Sequence, residues 1–378
     1  MTCHKKGYIL IIAMDEYFIK HKGEFMKKSF IFLALVILFT GHIAPAQKPS
    51  PVYFTRDISG QGVLKVYQMI KDQVNGKVAV KVHFGEEGNK NYLKPELSKP
   101  LVELLKATYV ETNVLYSGPR QKTESHLKLA KDHGFGFAPI DILDSEGEKV
   151  YACSTACYTR VLAGSHMDRY NTFIIFSHFK GHGLAGFGGA IKNVAMGLAS
   201  RMGKRAMHAD YVPDYDTSKC IRCGTCVKQC PAGAISINPL KIDTRKCIGC
   251  GQCLKDCPVE AFEASRDRIS SELFNRRLVE YAKVLSDSNH FVYINVLANI
   301  SPDCDCSGRA RKPFTGDIGV LASTDIVAIE QASLDLVNKA HKCQDAFLKE
   351  SGRSGTLQIE YAAQLGMGSR KYKLIKAD

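Results

Sequence analysis

Apolar side chains along the chain recur with two spacings, one typical of helices and the other typical of strands. Residues 60–74 carry apolar side chains three or four positions apart, which predicts a helix, whereas residues 77–84 alternate with a period of two, which predicts a strand. Further predicted elements are a short helix at 101–107, a strand at 109–116, a helix at 123–133 that Thr123 caps and Gly134 ends, and a strand at 138–143. Because strands alternate with helices, the pattern favours an α/β fold with a mostly parallel sheet flanked by helices.

The α/β pattern returns after a cysteine-rich stretch in the middle of the chain. Before this stretch, residues 171–179 predict a strand, which a glycine-rich loop and a helix at 189–202 follow. After it, an amphipathic helix begins near residue 269, strands are predicted at 290–300 and 318–322, and Ser323 or Thr324 caps a helix that reaches about Ala340. We therefore expect one α/β domain, formed by residues 47–210 and 267–378, with a small α+β module inserted at 211–266.

Eight of the 14 cysteines form two copies of one short pattern, C-x2-C-x2-C-x3-C followed by proline. This is the bacterial ferredoxin pattern, in which a loop presents three thiolates to one [4Fe–4S] cluster and the fourth cysteine ligates the other cluster. We therefore predict a two-cluster ferredoxin-type module in which the ligands of the two [4Fe–4S] clusters are crossed. The predicted ligands are Cys220, Cys223, Cys226 and Cys257 for cluster 1, and Cys247, Cys250, Cys253 and Cys230 for cluster 2.

Zinc sites and disulfides are the alternative explanations for these cysteines. Zinc sites usually combine cysteine pairs from distant segments, so two zinc ions would not explain the x3 step or the prolines. Small disulfide domains do not repeat such a short spacing. Glycines near the cysteines, such as Gly224 and Gly249, allow the main chain to approach a cluster closely and to direct N–H groups at its sulfurs. The pattern favours clusters.

The N-terminal region has the pattern of a secretory signal peptide. Met26-Lys27-Lys28 precedes ten apolar residues at 30–39, and Ala44-Pro45-Ala46 precedes Gln47. Residues 26–46 are therefore predicted to be a signal peptide and residues 1–25 an upstream extension, with Met26 as the biological start. We expect an exported, periplasmic protein without a stable membrane span after cleavage, because ten apolar residues are too few to cross a bilayer. A cytoplasmic protein, or one anchored by an uncleaved signal, is the alternative.

The chain is basic, with a formal net charge of +13, but its charge pattern does not indicate nucleic-acid binding. Lysines and arginines are scattered rather than clustered, and two clusters with thiolate ligands would lower the net charge. A positive face would instead suit an acidic redox partner protein or a small anionic ligand.

A second candidate site lies in the glycine-rich loop between a predicted strand and a predicted helix. Residues 177–193 contain Gly181, Gly183 and Gly186 in the spacing G-x-G-x-x-G, and glycines at such a turn let main-chain N–H groups meet an anion. Lys180 and Lys192 could hold a phosphate or carboxylate together with these amides. Dinucleotide binding, with Asp210 as the ribose ligand, and a tight turn without a ligand are the alternatives.

Two histidines of this loop and one pair of cysteines are further candidates for chemistry. His178 and His182 are candidate catalytic residues, and with His208 and Asp210 they could also meet at one loop end around a metal ion. Cys304-Asp305-Cys306 follows a predicted strand and is either a third redox or ligand element or a pair of free thiols in a surface loop.

Four segments together resemble the iron–sulfur-associated family catalogued as domain of unknown function 362. The matching segments are residues 81–95, residues 177–204, the double cysteine run, and residues 303–337. The resemblance implies an α/β body with a two-cluster ferredoxin module. It does not supply a reaction.

Three hypotheses about function follow from these patterns. In the first, two [4Fe–4S] clusters pass electrons between an unknown redox partner protein and a ligand on the α/β domain, which makes the chain a candidate oxidoreductase of unknown substrate. Lys180, His182 and Lys192 would hold an anionic group of that ligand, and His178 would transfer protons. In the second, the protein is an electron carrier without a substrate of its own. In the third, it is an exported binding protein with structural clusters.

Overall fold

The computed structural model describes residues 48–208, 212–247, 252–263 and 270–378. The predicted signal peptide at 26–46, the upstream extension at 1–25, Asp210 and Cys250 lie outside the described residues. Among the helices that the structure describes, none is both long enough and apolar enough to cross a membrane.

An eight-stranded sheet forms the centre of the protein. Five neighbouring strands are parallel, β14, β7, β2, β3 and β4, and the order across the whole sheet is β16-β1-β15-β14-β7-β2-β3-β4. Strand β15 is antiparallel to both of its neighbours, β14 and β1, and β16 is parallel to β1. The bounds are Ser50–Thr55 (β1), Val78–Lys81 (β2), Thr108–Glu111 (β3), Ile140–Ile142 (β4), Thr172–His178 (β7), Phe291–Leu297 (β14), Gly319–Ser323 (β15) and Tyr372–Lys376 (β16).

The other strands form short antiparallel pairs, and helices cover both faces of the sheet. The paired strands are Glu148–Ala152 (β5) with Arg160–Gly164 (β6), Lys180–His182 (β8) with Gly186–Gly188 (β9), Asp214–Tyr215 (β10) with Phe262–Glu263 (β13), and Ile235–Ile237 (β11) with Leu240–Ile242 (β12). The helices are Gly60–Gln68 (α1), Pro95–Leu105 (α2), Thr123–Asp132 (α3), Ala190–Leu198 (α4), Arg201–Met207 (α5), Thr225–Gln229 (α6), Gln252–Asp256 (α7), Ser271–Ser288 (α8), Ile326–Ala340 (α9), Ala346–Ser351 (α10) and Thr356–Gln364 (α11).

Strand β7 shows why the sheet is buried on both faces. Its residues Ile174 and Phe176 pack in an apolar cluster with α1, α2 and α3. The alternate residues Phe173 and Ile175 pack in a second cluster with α4, α8, α9, α10 and α11. Successive side chains of a strand point to opposite faces, so a strand covered by helices on both sides is apolar throughout. The prediction of an α/β fold with a mostly parallel sheet is confirmed.

Several local predictions differ from the structure. The helix predicted at 189–202 is divided into α4 and α5, because Ala199 is extended and Ser200 begins a new helix by accepting a hydrogen bond from the Gly203 N–H. Thr123 does not cap α3, since its hydroxyl instead accepts a hydrogen bond from the Asn113 amide at 3.0 Å. The predicted glycine-rich loop contains a small hairpin, β8 and β9.

The cysteine-rich residues lie between α5 and α8 in the sequence, while β7 and β14, on either side of them, are neighbours in the sheet. We call the described part of this stretch, residues 212–247 and 252–263, the cysteine segment. Its two short helices, α6 and α7, pack against each other, and its four strands are the pairs β10–β13 and β11–β12. The proposed domain boundaries at 210 and 267 stay a prediction.

Candidate functional site

A cavity of about 250 Å³ opens at the carboxyl ends of β2, β3 and β7. We call it the strand-end cavity. The last residues of these strands, Lys81, Glu111 and His178, all line it, together with residues of the loops that follow. Side chains at the carboxyl ends of neighbouring parallel strands meet at one edge of the sheet, which is where α/β proteins usually bind ligands.

The lining of the strand-end cavity is strongly basic. Among the described residues, the lining includes four histidines and a single carboxylate, Glu111. The six lysine and arginine side chains of the lining are Lys81, Lys94, Arg120, Lys180, Lys192 and Lys204. Such a cavity favours an anionic occupant, because charges in a partly dehydrated site interact more strongly than they do in water.

Glu111 and Arg120 form a buried ion pair beside the cavity. The distance from Nη2 of Arg120 to Oε1 of Glu111 is 2.5 Å, and both side chains are 3% exposed. Burial alone would raise the pKa of Glu111, but the Arg120 charge lowers it well below its usual range. Further contacts of Arg120 are to His83 at 3.0 Å, to the Tyr116 hydroxyl at 3.1 Å and to Glu86 at 3.4 Å. This network fixes the loops that follow β2 and β3.

Lys81 and Lys204 are buried amines whose charge is not fully compensated. Lys81 donates hydrogen bonds to the Val82 carbonyl at 2.6 Å and to the Asn193 amide oxygen at 2.9 Å. Burial lowers the pKa of Lys81 to about 7. Lys204 donates to the Ala199 carbonyl at 2.6 Å and to the Thr112 hydroxyl, and burial lowers its pKa to about 8. Both amines therefore titrate near neutral pH.

Asp305 is held in place by a histidine and a lysine near the end of β7. Its carboxylate lies 2.9 Å from Nδ1 of His178 and 3.1 Å from Nζ of Lys180. The other ring nitrogen of His178 lies 2.7 Å from the Ala298 carbonyl oxygen. Because both partners of the ring are acceptors, both nitrogens of His178 are occupied in positioning Asp305 and the chain around it.

Cys304 and Cys306, on either side of Asp305, lie beside Lys192 and His182. Nζ of Lys192 is 3.4 Å from Sγ of Cys304, and Cys306 lines the cavity. Among the described residues, His182, Cys304 and Cys306 form a group with metal-ligating side chains whose ligand atoms lie within 4.8 Å of one another. A hydrogen bond from Cys306 lowers the pKa of Cys304 well below its usual value, and Lys192 lowers it further although burial opposes the charge.

In the cysteine segment, a smaller cavity is lined by four cysteines from both halves of the repeat. Cys220, Cys223 and Cys226 come from the first run and Cys257 from the second. Phe262 and Leu240 belong to the small apolar cluster that surrounds these residues.

Each of the two cysteine runs contains a local hydrogen bond of the same type. The N–H of Ala234 donates to the sulfur of Cys230 at 3.3 Å, and the N–H of Ala261 donates to the sulfur of Cys257 at 3.2 Å. In each run, the donor therefore lies four residues after the fourth cysteine. Cys247 and Cys253 belong to the apolar cluster of this segment.

A hydrogen bond connects the cysteine segment to a loop of the strand-end cavity. The hydroxyl of Ser117 donates to the carbonyl of Gln229 at 2.7 Å. Tyr116, the residue before Ser117, lines the strand-end cavity, and Cys230 directly follows Gln229. The contact thus brings Cys230, one of the cysteines of the repeated pattern, close to the cavity wall.

Comparison with known proteins identifies the family. A model of the family described as "Domain of unknown function (DUF362)" matches residues 78–335, which is more than half of the chain. The chain belongs to this family. Membership of the DUF362 family and the 14 cysteines are compatible with an iron–sulfur protein.

Similarity to individual proteins is distant. No curated protein matches the sequence. Of the solved structures, the lactate racemase apoprotein from Thermoanaerobacterium thermosaccharolyticum is 13% identical, with a TM-score of 0.35 over 66% of this chain. A protein from Thermotoga maritima is 8% identical, with a TM-score of 0.37 over 82% of this chain. The DUF362 chain spans 51% and 59% of these two structures, respectively.

The structure brings together some of the site residues predicted from the sequence of this DUF362 protein. Lys180, Lys192, His178 and His182 all line the strand-end cavity. His208 also lines it, whereas Asp210 lies outside the described residues.

The three glycines of the predicted anion-binding loop do not line the strand-end cavity. Gly181, Gly183 and Gly186 are not among the residues that line the cavity, although Gly188 and Gly189 are. Gly181 donates its N–H to the Ser301 carbonyl at 2.8 Å, and Gly186 adopts a left-handed φ of 82° as the first residue of β9, directly after the turn of the β8–β9 hairpin. At the start of α4, the Ala190 N–H already donates to the buried carboxylate of Glu330 at 2.6 Å. In this DUF362 protein, side chains rather than loop amides provide the positive charge of the cavity.

Four buried residues of the site were not found by sequence reasoning. Lys81 and Glu111 end the observed strands β2 and β3 but lie inside the longer strands predicted at 77–84 and 109–116, and Arg120 and Lys204 lie outside the predicted helices and strands. A charged residue at the end of an apolar strand was the available signal, as in the sequence VAVK of β2.

Proposed function

We propose that this DUF362 protein is an iron–sulfur redox protein in which two [4Fe–4S] clusters serve a small anionic ligand bound in the strand-end cavity. The proposed ligands of cluster 1 are Cys220, Cys223, Cys226 and Cys257. Those of cluster 2 are Cys247, Cys250, Cys253 and Cys230, and Cys250 is the one that lies outside the described residues.

The surroundings of the cysteines fit such clusters. The four side chains proposed for cluster 1 line one cavity, although one of them comes from the other cysteine run. The N–H groups of Ala234 and Ala261 donate to the sulfurs of Cys230 and Cys257, and such bonds stabilise the negative charge of a ligating thiolate. When bound, clusters of this kind accept and donate single electrons.

The hydrogen bond between Ser117 and Gln229 is the observation that carries the proposal. It joins the residue after a cavity-lining tyrosine to the residue before Cys230. Given ordinary main-chain and hydrogen-bond lengths, the Cα atoms of Tyr116 and Cys230 are no more than roughly 15 Å apart. A simple electron carrier would not need a basic, partly buried cavity at this distance from its clusters.

The cavity residues have separate roles in the proposed site. Lys180 is the first residue of β8, just after the carboxyl end of β7, and Lys192 lies on α4. Both side chains line the cavity and would hold an anionic group. The Glu111–Arg120 pair holds the opposite wall rigid and keeps one guanidinium charge in position. Burial and the charge of Lys192 lower the pKa of His182 well below its usual value. His182 is therefore a neutral ring that can form a hydrogen bond with the ligand.

Anaerobic purification of the chain from Gln47 tests the proposal. We expect about eight irons and about eight acid-labile sulfides per chain, and an EPR signal of reduced [4Fe–4S] clusters. Mass analysis of a denatured sample would identify a co-purified ligand. An iron-free protein that binds two zinc ions would contradict the cluster assignment. If the reduction potentials of the clusters are the same with and without a ligand in the cavity, the protein is instead an electron carrier without a substrate, or its clusters are structural.

Replacing one cavity lysine measures the anion site directly. We expect Lys192→Met to weaken the binding of sulfate, used as a probe, by about ten- to a hundredfold, since a hydrogen bond to a charged group contributes about 1.5–3 kcal/mol. Isothermal titration calorimetry at low salt gives the affinity. Lys131→Met is the matched control, because Lys131 is an exposed lysine on α3. An equal loss of sulfate affinity in both variants would mean that the affinity depends only on the net charge of the protein.

The affinity for sulfate should also fall as the pH rises from 6 to 9. Lys81 and Lys204, with pKa values lowered by burial to about 7 and about 8, are charged at pH 6 and neutral at pH 9. Glu330 adds to this trend, since burial raises its pKa to about 7 and it becomes negative over the same interval. Sulfate itself does not titrate here. Lys81→Met should bind more weakly at pH 6 and have a flatter pH profile; an unchanged profile would exclude Lys81 as the titrating group.

A further inference from the structure

Cys304 and Cys306 form a pair of thiols at the wall of the strand-end cavity. Cys304 is buried, whereas Cys306 is partly exposed and lines the cavity. Their sulfurs lie within 4.8 Å of each other, and the Cys306 N–H donates to Sγ of Cys304 at 3.4 Å. A disulfide has an S–S bond of about 2.05 Å, so the two sulfurs would have to approach by less than about 3 Å to form one.

The residue between the two cysteines is fixed independently of them. Asp305 is buried, and its carboxylate contacts both His178 and Lys180. These contacts anchor the Cys-Asp-Cys segment at the end of β7. The two sulfurs therefore lie near each other as free thiols, without an S–S bond to hold them there.

Positive charge is placed at the buried sulfur. Nζ of Lys192 lies 3.4 Å from Sγ of Cys304 and has the geometry of a charge-assisted hydrogen bond to a thiolate. A neighbouring lysine stabilises the thiolate form of Cys304, and this thiolate can take the proton of Cys306, which then attacks a disulfide as a thiolate.

The position of His182 argues against a metal ion between these side chains. Its Nδ1 accepts hydrogen bonds from the N–H groups of Leu184 at 3.3 Å and Ala185 at 3.0 Å. The neutral ring then carries its proton on Nε2, so neither nitrogen offers a free lone pair to a metal. Lys192 would also repel a divalent cation at the sulfurs.

We propose that Cys304 and Cys306 are a dithiol–disulfide couple that reduces small anionic disulfides in the strand-end cavity. Cys306, which faces the cavity, attacks one sulfur of the substrate R–S–S–R, passing its proton to Cys304, and the first RS⁻ leaves. Cys304 then attacks the sulfur of Cys306, its proton goes to the RS⁻ already released, and the second RS⁻ leaves. Two electrons move from the protein sulfurs to the substrate sulfurs, so the exchange needs no other oxidant.

Reduction of the Cys304–Cys306 disulfide back to the dithiol form is the step that rests on the proposed function. It consumes two electrons and one proton, and the reductant would be the reduced iron–sulfur clusters, each of which supplies one electron. The exchange with the substrate is independent of this step and can be tested without it.

The test uses two disulfides of similar size and opposite charge on the anaerobically purified protein. We expect 3,3′-dithiodipropionate, a dianion, to convert Cys304 and Cys306 into an internal disulfide at least about tenfold faster than cystamine, a dication, because the cavity is basic. After acid quenching and alkylation, peptide mass spectrometry detects the disulfide. Cys153 and Cys157 are the internal control, since burial raises the pKa of both thiols, that of Cys157 to about 11. They should remain alkylatable.

Variants distinguish the two steps. Cys304→Ser should trap half of the substrate as a mixed disulfide on Cys306, whereas Cys306→Ser should trap none there. Absence of the internal disulfide in the wild-type protein, or equal oxidation of Cys153 and Cys157, would overturn the proposal. So would one tightly bound divalent metal per chain that is lost in both Cys304→Ser and His182→Ala.

A cluster-ligand variant separates this inference from the proposed function. Cys226→Ser should still form the Cys304–Cys306 disulfide with the dianionic probe, but reduction of that disulfide by added dithionite through the clusters should be slower than in the wild type. If the wild type forms the disulfide but contains no iron, the proposed function fails and the couple stands. If it contains about eight irons but no disulfide forms, the couple alone fails.

Discussion

Replacing Cys220 and Cys257 together should leave about four irons per chain, whereas replacing Cys220 and Cys230 together should leave almost none. The reason is the crossed arrangement that we propose for the clusters. Cys220 and Cys257 would ligate the same cluster although they are 37 positions apart, while Cys220 and Cys230 would ligate different clusters although they belong to the same run. The cavity lined by Cys220, Cys223, Cys226 and Cys257 supports this pairing.

The measurement is iron and acid-labile sulfide per chain after anaerobic reconstitution of each serine variant. The single variants Cys220→Ser and Cys257→Ser are the controls, and each should retain about four irons. Circular dichroism shows whether the α/β body stays folded when a cluster is lost. Four irons in Cys220→Ser/Cys230→Ser, with none in Cys220→Ser/Cys257→Ser, would mean that each run holds its own cluster and that the ligands are not crossed.

The α/β fold was predictable because local patterns and the final architecture agree. Strand β7 is apolar on both faces in sequence, and in the structure it is covered by helices on both faces. Boundaries were less predictable, because tertiary contacts decide them. The helix predicted at 189–202 is divided where Ala199 forms a bridge with Ala163, a contact that no local pattern contains.

The strand-end cavity was only partly predictable, since its charges come from segments that are far apart in sequence. Lys180 and Lys192 were found because they flank one glycine-rich segment. Lys81 and Glu111 meet them only because β2 lies between β7 and β3 in the sheet, and spacing along the chain does not encode that order. Glu330, which occupies the start of α4, comes from a helix 140 residues away.

The buried ion pair between Glu111 and Arg120 makes the largest contribution that we expect to the stability of this site. Glu111→Gln keeps the shape of the side chain but removes the charge that compensates Arg120, both side chains being 3% exposed. Breaking a buried ion pair by removing one partner costs about 3–5 kcal/mol when the other charge is left without compensation. Here the Glu86 carboxylate, 3.4 Å from Arg120, still compensates part of its charge, so we expect a loss at the lower end of this range. We therefore expect the free energy of unfolding to fall by about this amount, measured from urea unfolding at pH 7 under anaerobic conditions.

Three further variants, one of them Arg120→Met alone, determine whether the loss comes from breaking the Glu111–Arg120 pair. Glu103→Gln removes one partner of an exposed pair with Lys99 at 3.8 Å on α2, and it should cost only about 0.3–0.5 kcal/mol. Glu111→Gln/Arg120→Met removes both buried charges and should be more stable than Glu111→Gln alone, since replacing a whole buried pair is often nearly neutral. A double variant that is as unstable as the two single losses added together would show that Arg120 is needed for its contacts with His83, Tyr116 and Glu86, and not for its charge on Glu111.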